Sequence, residues 1–363
     1  FHKSVHGVCL SVTLVICEIV MESNQGDEFT GDTVHLLGRS QVKNTLFGKV
    51  RATYNLGVEE WLFLVFSMVA VGFTIALTLS KLVLTMKNED EYVYIVLIVM
   101  NIGFLFMYSV HGIFTEQPYE VAVFVGTIVI IMVYEILHYF SFDPNNGPSP
   151  GKFKELRLTM LIAVCVLAPI LTITGAYLIH SYMTSCNFVF RSVGANMLLQ
   201  KMCLALFRCQ SLLWFDLQTH LSVILTFIKE GISNFEPEEI LVMTIGILYI
   251  LLFRTVGYMA MRLENDILAV MFLLLSPFTP AYIVWNFVQM VEYVSIDSVL
   301  FKTFLAAGIL SIVIRILLLI NFVDVYNHFG MGLKERVYEP VMPTSRLGNI
   351  QRYGSTSGHN PST

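Results

Sequence analysis

Residues 201–228 of the chain, KMCLALFRCQSLLWFDLQTHLSVILTFI, decide how the rest of the sequence is interpreted. The stretch is long enough and apolar enough to cross a bilayer as a helix. It also carries a row of polar and ionisable side chains, namely Arg208, Gln210, Asp216, Gln218 and His220. Every other long apolar run in the chain holds one or two ionisable groups. The topology of the protein therefore depends on whether this stretch crosses the membrane or lies on it.

The composition around this stretch is that of a membrane protein. Hydrophobic residues make up 55% of the 363 residues, charged residues make up 13%, and the mean hydropathy is +0.69. A soluble chain of this length needs more charge to cover its surface. The partner expected from this composition is the lipid bilayer, with a small solute or ion as a candidate ligand. No cluster of lysine and arginine suited to a phosphate backbone is present, so we expect no nucleic-acid partner.

The apolar blocks predict an all-α, multi-pass membrane helical bundle, because backbone groups in lipid must be satisfied within their own segment. The predicted spans are 61–80, 93–114, 119–140, 159–183, 203–228, 239–261, 267–290 and 302–322. The bundle would occupy residues 59–325, between an N-terminal extramembrane segment, 1–58, and a polar, largely disordered tail, 326–363. No internal repeat is visible along the sequence, which weakens the hypothesis of an inverted-repeat transporter.

The N-terminal segment leaves two interpretations open. Residues 5–21 are rich in β-branched side chains and are shorter than the roughly 20 residues that a span requires. Residues 33–55 also resemble strand pieces, punctuated by Gly38 and Gly48. We expect the remnant of a small β-rich extramembrane domain, and the alternative is an additional first helix at 5–21. Because the chain starts at Phe1, we expect upstream sequence.

The distribution of basic residues bears on the fifth predicted span. Lysine and arginine in short loops favour the cytoplasmic side of a membrane. The basic loops agree with one another if 203–228 is interfacial, which gives seven spans, an outer N-terminus and an inner tail. If 203–228 crosses the membrane, the chain has eight spans and one half violates the charge rule. The unbroken apolar character of the stretch favours crossing, so we predict eight spans.

Three polar residues of this stretch, Arg208, Asp216 and His220, are spaced at multiples of four and form one stripe on a helix. Charged side chains at bilayer depth cost about 2.5–3.5 kcal/mol each on insertion scales, so they usually have partners. The candidate partners of the stripe are Arg254, Arg315, and Glu135 with His138, all within other predicted spans. Such a cluster could be a proton relay or an anion-coordinating site. It could equally be a structural ion pair that locks the bundle.

Other features within the predicted spans carry more modest expectations. Glu135 and His138 lie one turn apart near a helix end and form a secondary candidate site, which we expect to reach towards the membrane interface. Asn101 is expected to make an interhelical hydrogen bond. Pro277 and Pro280, in the sequence SPFTP, predict a break in the seventh span.

Motifs of known catalytic and metal sites are absent from the sequence. It contains no HExxH, no GxSxG and no P-loop. The six cysteines lack the CxxC spacing of zinc sites. We therefore expect no enzyme activity, no metal and no cofactor. The cysteines are expected to be buried free thiols, and a disulfide between Cys186 and Cys203 is the alternative.

Three functional hypotheses remain open. The first is a transporter or channel-like protein with a polar, charged site inside the membrane. The second is a heptahelical receptor-like or trafficking protein with an extracellular or luminal N-terminus and a cytosolic tail, in which Tyr338 and Val341 match the form of a tyrosine-based sorting signal. The third is a structural membrane scaffold. The sequence does not separate the plasma membrane from endomembranes.

Overall fold

The computed structural model describes residues 42–45, 48–51, 56–85, 89–141, 150–185, 189, 197–226, 237–293 and 299–331. The segment 5–21 and the sorting motif at 338–341 lie outside the described residues. Val42–Thr45 (β1) and Gly48–Arg51 (β2) form an antiparallel hairpin. This hairpin falls within the segment 33–55, for which strand pieces were predicted.

Helices account for the rest of the described secondary structure. In chain order they are α1 (Val58–Thr85), α2 (Glu89–Thr115), α3 (Pro118–Ser141), α4 (Pro150–Ser185), α5 (Met197–Leu225), α6 (Pro237–Leu263), α7 (Asp266–Leu275), α8 (Phe278–Tyr293) and α9 (Val299–Tyr326). Seven helical segments of the described chain are long and apolar enough to cross a membrane, with α7 and α8 counted as one. The predicted multi-pass helical bundle is therefore confirmed.

The helix at the centre of the bundle is α5, which is not among those seven segments. It packs against α2, α3, α6 and α9. More than half of its residues are buried, including Asp216, Gln218 and His220. By contrast, only 28% of the apolar window of α1 is buried within the protein. Because α5 is surrounded by protein, its surface need not be as apolar as that of a helix facing lipid.

Contacts between α5 and α9 show that the two helices run antiparallel over a long distance. Arg208 of α5 approaches Asp324 of α9, and His220 approaches Ser311. The rise along α5 between these two contacts is about 18 Å, more than half the thickness of a bilayer core. Since α9 is one of the seven apolar segments, α5 lies at the same depth as that segment.

The helices form two units of four passes each with the same order of packing, where α7 and α8 together count as one pass. In the first unit, α1 packs on α2, α2 on α3, α3 on α4, and α4 on α1. In the second unit, α5 packs on α6, α6 on α7, α8 on α9, and α9 on α5. The broken pair α7 and α8 thus takes the place that α3 has in the first unit. The units meet where α5 contacts α2 and α3, and where α9 contacts α3.

The tight turns of the two units match in detail. Glu116, between α2 and α3, has φ of 52°, and Glu264, between α6 and α7, has φ of 50°. In the first turn the Gln117 amide donates to the Gly112 carbonyl at 3.0 Å, and in the second the Asn265 amide donates to the Ala260 carbonyl at 3.4 Å. In each of the two turns, the donating residue follows the accepting residue by five positions. No internal repeat was visible in the sequence, but the two units share an order of helix packing and a turn geometry.

The predicted break in the seventh span is confirmed. α7 ends at Leu275, and α8 begins at Phe278. The Ser276 amide closes the last turn of α7 by donating to the Phe272 carbonyl at 3.1 Å. Pro277 then has no amide hydrogen with which to continue the helical ladder. The break exposes backbone groups to side chains of neighbouring helices.

Candidate functional site

The centre of the second unit holds a buried ion pair. Nε of Arg315, on α9, lies 2.9 Å from Oδ1 of Asp216, on α5. The two atoms are at ion-pair distance, although their alignment is outside hydrogen-bond geometry. Each side chain is at most 2% exposed. Two opposite charges are thus held together away from both lipid and water.

His220 lies one helical turn after Asp216 and joins the same cluster. Its Nδ1 is 2.7 Å from the Asp216 backbone carbonyl, which can only accept, so Nδ1 carries the hydrogen. Its Nε2 is 3.2 Å from Nη2 of Arg315, which can only donate, so Nε2 is the acceptor. The Ser311 hydroxyl lies 3.0 Å from the same nitrogen. These contacts assign a neutral imidazole with its hydrogen on Nδ1.

The broken helix also contributes to the cluster. Nη2 of Arg315 donates to the hydroxyl of Thr279, on α8, at 3.2 Å. The Tyr249 hydroxyl, on α6, donates to the carbonyl of Leu275 at the end of α7. Arg315 also lies over the ring of Phe253, 3.8 Å from its centroid. All four passes of the second unit therefore meet at the arginine or at the break beside it.

Arg208 and Arg254, which sequence analysis grouped with this cluster, lie elsewhere. Arg208 lies about two turns before Asp216 on α5 and approaches Asp324 at 3.5 Å. Arg254 places its guanidinium carbon 2.9 Å from the centroid of the Trp214 ring. Of the two candidate arginine partners for Asp216, the structure selects Arg315. The stripe of three polar residues on α5 thus divides into a buried pair, Asp216 and His220, and one arginine about two turns away.

A second polar group lies on another side of α5, where the two units meet. The Gln218 side chain donates to Oδ1 of Asn101, on α2, at 2.6 Å. It accepts from the hydroxyl of Thr127, on α3, at 3.1 Å. The interhelical hydrogen bond expected for Asn101 is therefore present. Sequence analysis set Gln218 aside because it falls off the stripe, yet it links α5 to the first unit.

The secondary candidates are described only in part. Glu135 is only 4% exposed, so its carboxylate is packed within the protein, and its position relative to the membrane interface stays a prediction. The side chain of His138 lies outside the described residues. His111 and Glu120, on either side of the α2–α3 turn, form an ion-pair contact that sequence analysis missed.

Cysteines and metal ligands give no further site in the described part of the chain. Cys203 and Cys209 are buried free thiols, and Cys165 is an exposed free thiol. The proposed partner of Cys203, Cys186, lies outside the described residues. Among the residues that the structure describes, no group of three histidine, cysteine, aspartate or glutamate side chains is placed to hold a metal ion.

Comparisons with known proteins identify a family and nothing finer. No curated protein and no solved structure matches the chain. The sequence profile of one family matches residues 47–180 and 193–324, which together cover well over half of the chain. The two matched stretches are nearly equal in length and follow the two four-pass units. The chain belongs to the family described as Domain of unknown function (DUF7789).

Proposed function

We propose that this protein is a transporter that moves a small solute across the membrane and couples the movement to protons at Asp216 and His220. The observation that carries the proposal is the carboxylate–imidazole–guanidinium cluster, which is buried between α5 and α9. Ionisable groups within membranes are costly and typically mark ion or proton pathways. Two nitrogens of Arg315, Nε and Nη1, also have no hydrogen-bond partner among the described residues, although Nε is at ion-pair distance from Asp216.

The proposal includes a crossing of the membrane by α5. Its antiparallel contact with α9 runs from Arg208 to His220, through the depth of an apolar span. An interfacial helix would face lipid or water along one side, whereas α5 has neighbours from both units. Eight crossings then result, and both units have the same orientation in the membrane.

The broken helix provides the moving part in this proposal. Protonation of Asp216 would remove the charge that holds Arg315. Arg315 in turn contacts Thr279, which is on the far side of the break between α7 and α8. Loss of the ion pair would therefore free α9, and with it the contact to α8, to move relative to α5. Discontinuous helices next to a charged site in mid-membrane are a recurrent feature of secondary transporters.

The test does not require the solute to be known. Ser311 is fully buried beside His220 and serves as the reporter position. Ser311→Cys is made in a variant without native cysteines, reconstituted in liposomes, and treated with a membrane-impermeant maleimide at acidic and at neutral pH. A transporter that opens on protonation of Asp216 predicts faster labelling at acidic pH. Adding Asp216→Asn, which mimics the protonated carboxyl, should make labelling fast at both pH values.

The matched control is Asp324→Asn, which removes an exposed carboxylate from α9. Its labelling should keep the pH dependence of the parent variant. A structural scaffold predicts instead that the thiol introduced by Ser311→Cys stays unlabelled at every pH, with or without the substitution at Asp216. That result would refute the transport proposal even if the variants fold normally.

A further inference from the structure

Arg254 is a charged residue in the middle of a span with no charged partner among the described residues. It lies near the centre of the apolar segment Met243–Leu263, at least about 13 Å along the helix from either end. In the part of the chain described it makes no ion pair, and its Nε has no hydrogen-bond partner. Its guanidinium stacks on Trp214 instead. The aromatic contact offsets part of the cost of burial, but it leaves the positive charge uncompensated.

Two buried hydroxyl groups lie close to this arginine. Tyr108, on α2, is 1% exposed, and its hydroxyl has no partner within the described residues. It is within electrostatic reach of Glu120, on α3, and of Arg254. Ser211 is also 1% exposed without a partner for its hydroxyl in the part of the chain described, and it precedes Trp214 by one turn on α5. Buried polar groups without partners are rare, so each needs an explanation.

The register of the helices brings these groups to one level. Gln218 on α5 bonds Asn101 on α2, which fixes one point of contact between these helices. Tyr108 follows Asn101 by two turns, and Ser211 precedes Gln218 by two turns. Tyr108 belongs to the apolar cluster against which Trp214 packs, and Trp214 stacks on Arg254, so α2 and α5 run antiparallel here. The two hydroxyl groups therefore lie at about the same depth as the guanidinium.

We propose that Arg254, Tyr108 and Ser211 form a binding site for a small inorganic anion, a halide or an oxyanion, where the two units meet. The site offers a guanidinium and two hydroxyl donors, which is the donor set that an anion requires. It is separate from the Asp216–Arg315 pair, whose charges cancel. The assignment names the solute class of the proposed transporter and rests on that proposal for its role in transport. Binding of the anion at this site does not depend on the transport proposal.

Trp214 provides a built-in reporter for the test. The other two tryptophans, Trp61 and Trp285, are 45% and 65% exposed and face away from the protein core. Replacing both with phenylalanine leaves Trp214 as the single emitter. The purified full chain is titrated in detergent with sodium chloride, nitrate, sulfate and phosphate, with gluconate used to keep ionic strength constant. An anion drawn to Arg254 changes the contact between the guanidinium and the indole ring.

We expect a saturable change in Trp214 emission with at least one of the four anions. Arg254→Gln should weaken the apparent affinity at least about tenfold, which is roughly 1.4 kcal/mol. Tyr108→Phe should weaken it by a smaller factor and keeps the aromatic ring, so it remains informative if Arg254→Gln misfolds. Arg262→Gln, which changes an arginine two turns further along α6, should leave the affinity unchanged.

Two results would overturn this proposal: no saturable change with any of the four anions, or the same affinity in Tyr108→Phe and in Arg254→Gln as in the parent. Asp216→Asn separates this proposal from the transport mechanism, because anion binding should persist in that variant. Anion binding without pH-dependent opening at Ser311 would refute proton coupling alone. Opening without anion binding would refute this site alone.

Discussion

Removing both partners of the Asp216–Arg315 pair should destabilise the protein no more than removing one of them. Asp216→Asn leaves the Arg315 guanidinium buried without a counter-charge, and Arg315→Gln leaves the carboxylate in the same situation. Both side chains are at most 2% exposed, so water cannot take the place of the missing partner. The double substitution leaves two neutral amides, which can hydrogen-bond to each other.

The magnitude follows from the geometry of the pair. Breaking a buried ion pair from one side costs about 3–5 kcal/mol, because the remaining charge stays desolvated. The 2.9 Å separation makes Asp216 and Arg315 a buried ion pair of this kind. Two independent losses would add to about 6–10 kcal/mol. We expect the double variant to lose only about 3–5 kcal/mol, and thus a coupling free energy of about 3 kcal/mol or more.

The assay is a double-mutant cycle on the free energy of unfolding, measured by titration with sodium dodecyl sulfate in mixed micelles. Arg208→Gln and Asp324→Asn provide a matched cycle, since that pair is separated by 3.5 Å and Asp324 is 48% exposed. Its coupling should stay below about 1 kcal/mol. Additive losses for Asp216 and Arg315 would refute the argument that the two charges depend on each other.

Two other substitutions test the packing around the site. Gly257→Ala would place a Cβ 2.6 Å from the ring of Phe272, so we expect a loss of about 1–3 kcal/mol in unfolding free energy. Gly72→Ala is the control, because the space around Gly72 is open, and it should be neutral or slightly stabilising. Equal effects of the two substitutions would contradict the close packing of Gly257 against Phe272. Gln218→Leu removes the bonds to Asn101 and Thr127, and we expect a loss of about 1 kcal/mol in the same assay. An unchanged or higher stability in Gln218→Leu would show that these bonds do not hold the two units together.

Much of the helical architecture could be predicted from hydropathy alone, because lipid-facing helices must be apolar. The break at Pro277 was also predictable, since proline removes a backbone donor wherever it occurs. The contact of Asp216 with His220 follows from their spacing of four on a helix. These features depend on local chemistry, which a single sequence records directly.

The sequence alone could not decide which arginine pairs with Asp216. Arg254 and Arg315 both lie within apolar segments, and the choice depends on how each helix is rotated about its axis. That rotation is set by packing between helices, for example by Phe253 beneath the Arg315 guanidinium. The central position of α5 was also hidden, because hydropathy measures a helix against lipid and α5 is surrounded by protein.

The internal repeat escaped sequence analysis for a related reason. The two units share few identical residues, among them Glu116 with Glu264 and Phe124 with Phe272. What they share is the order of packing and the backbone geometry of their tight turns. Many apolar side chains can fill equivalent positions in a helical bundle, so sequence likeness fades while the packing is retained.

The account depends most directly on α5 as a helix that crosses the membrane and carries the charged cluster. Single cysteines at Asn146, between α3 and α4, and at Ser355, in the tail, are introduced into a variant without native cysteines. Labelling of sealed, oriented vesicles with a membrane-impermeant maleimide then reports the side on which each cysteine lies. Five crossings separate the two positions if α5 spans, so the cysteines should label from opposite sides. Labelling of both from the same side would mean that α5 does not cross, and it would contradict the proposed site within the membrane.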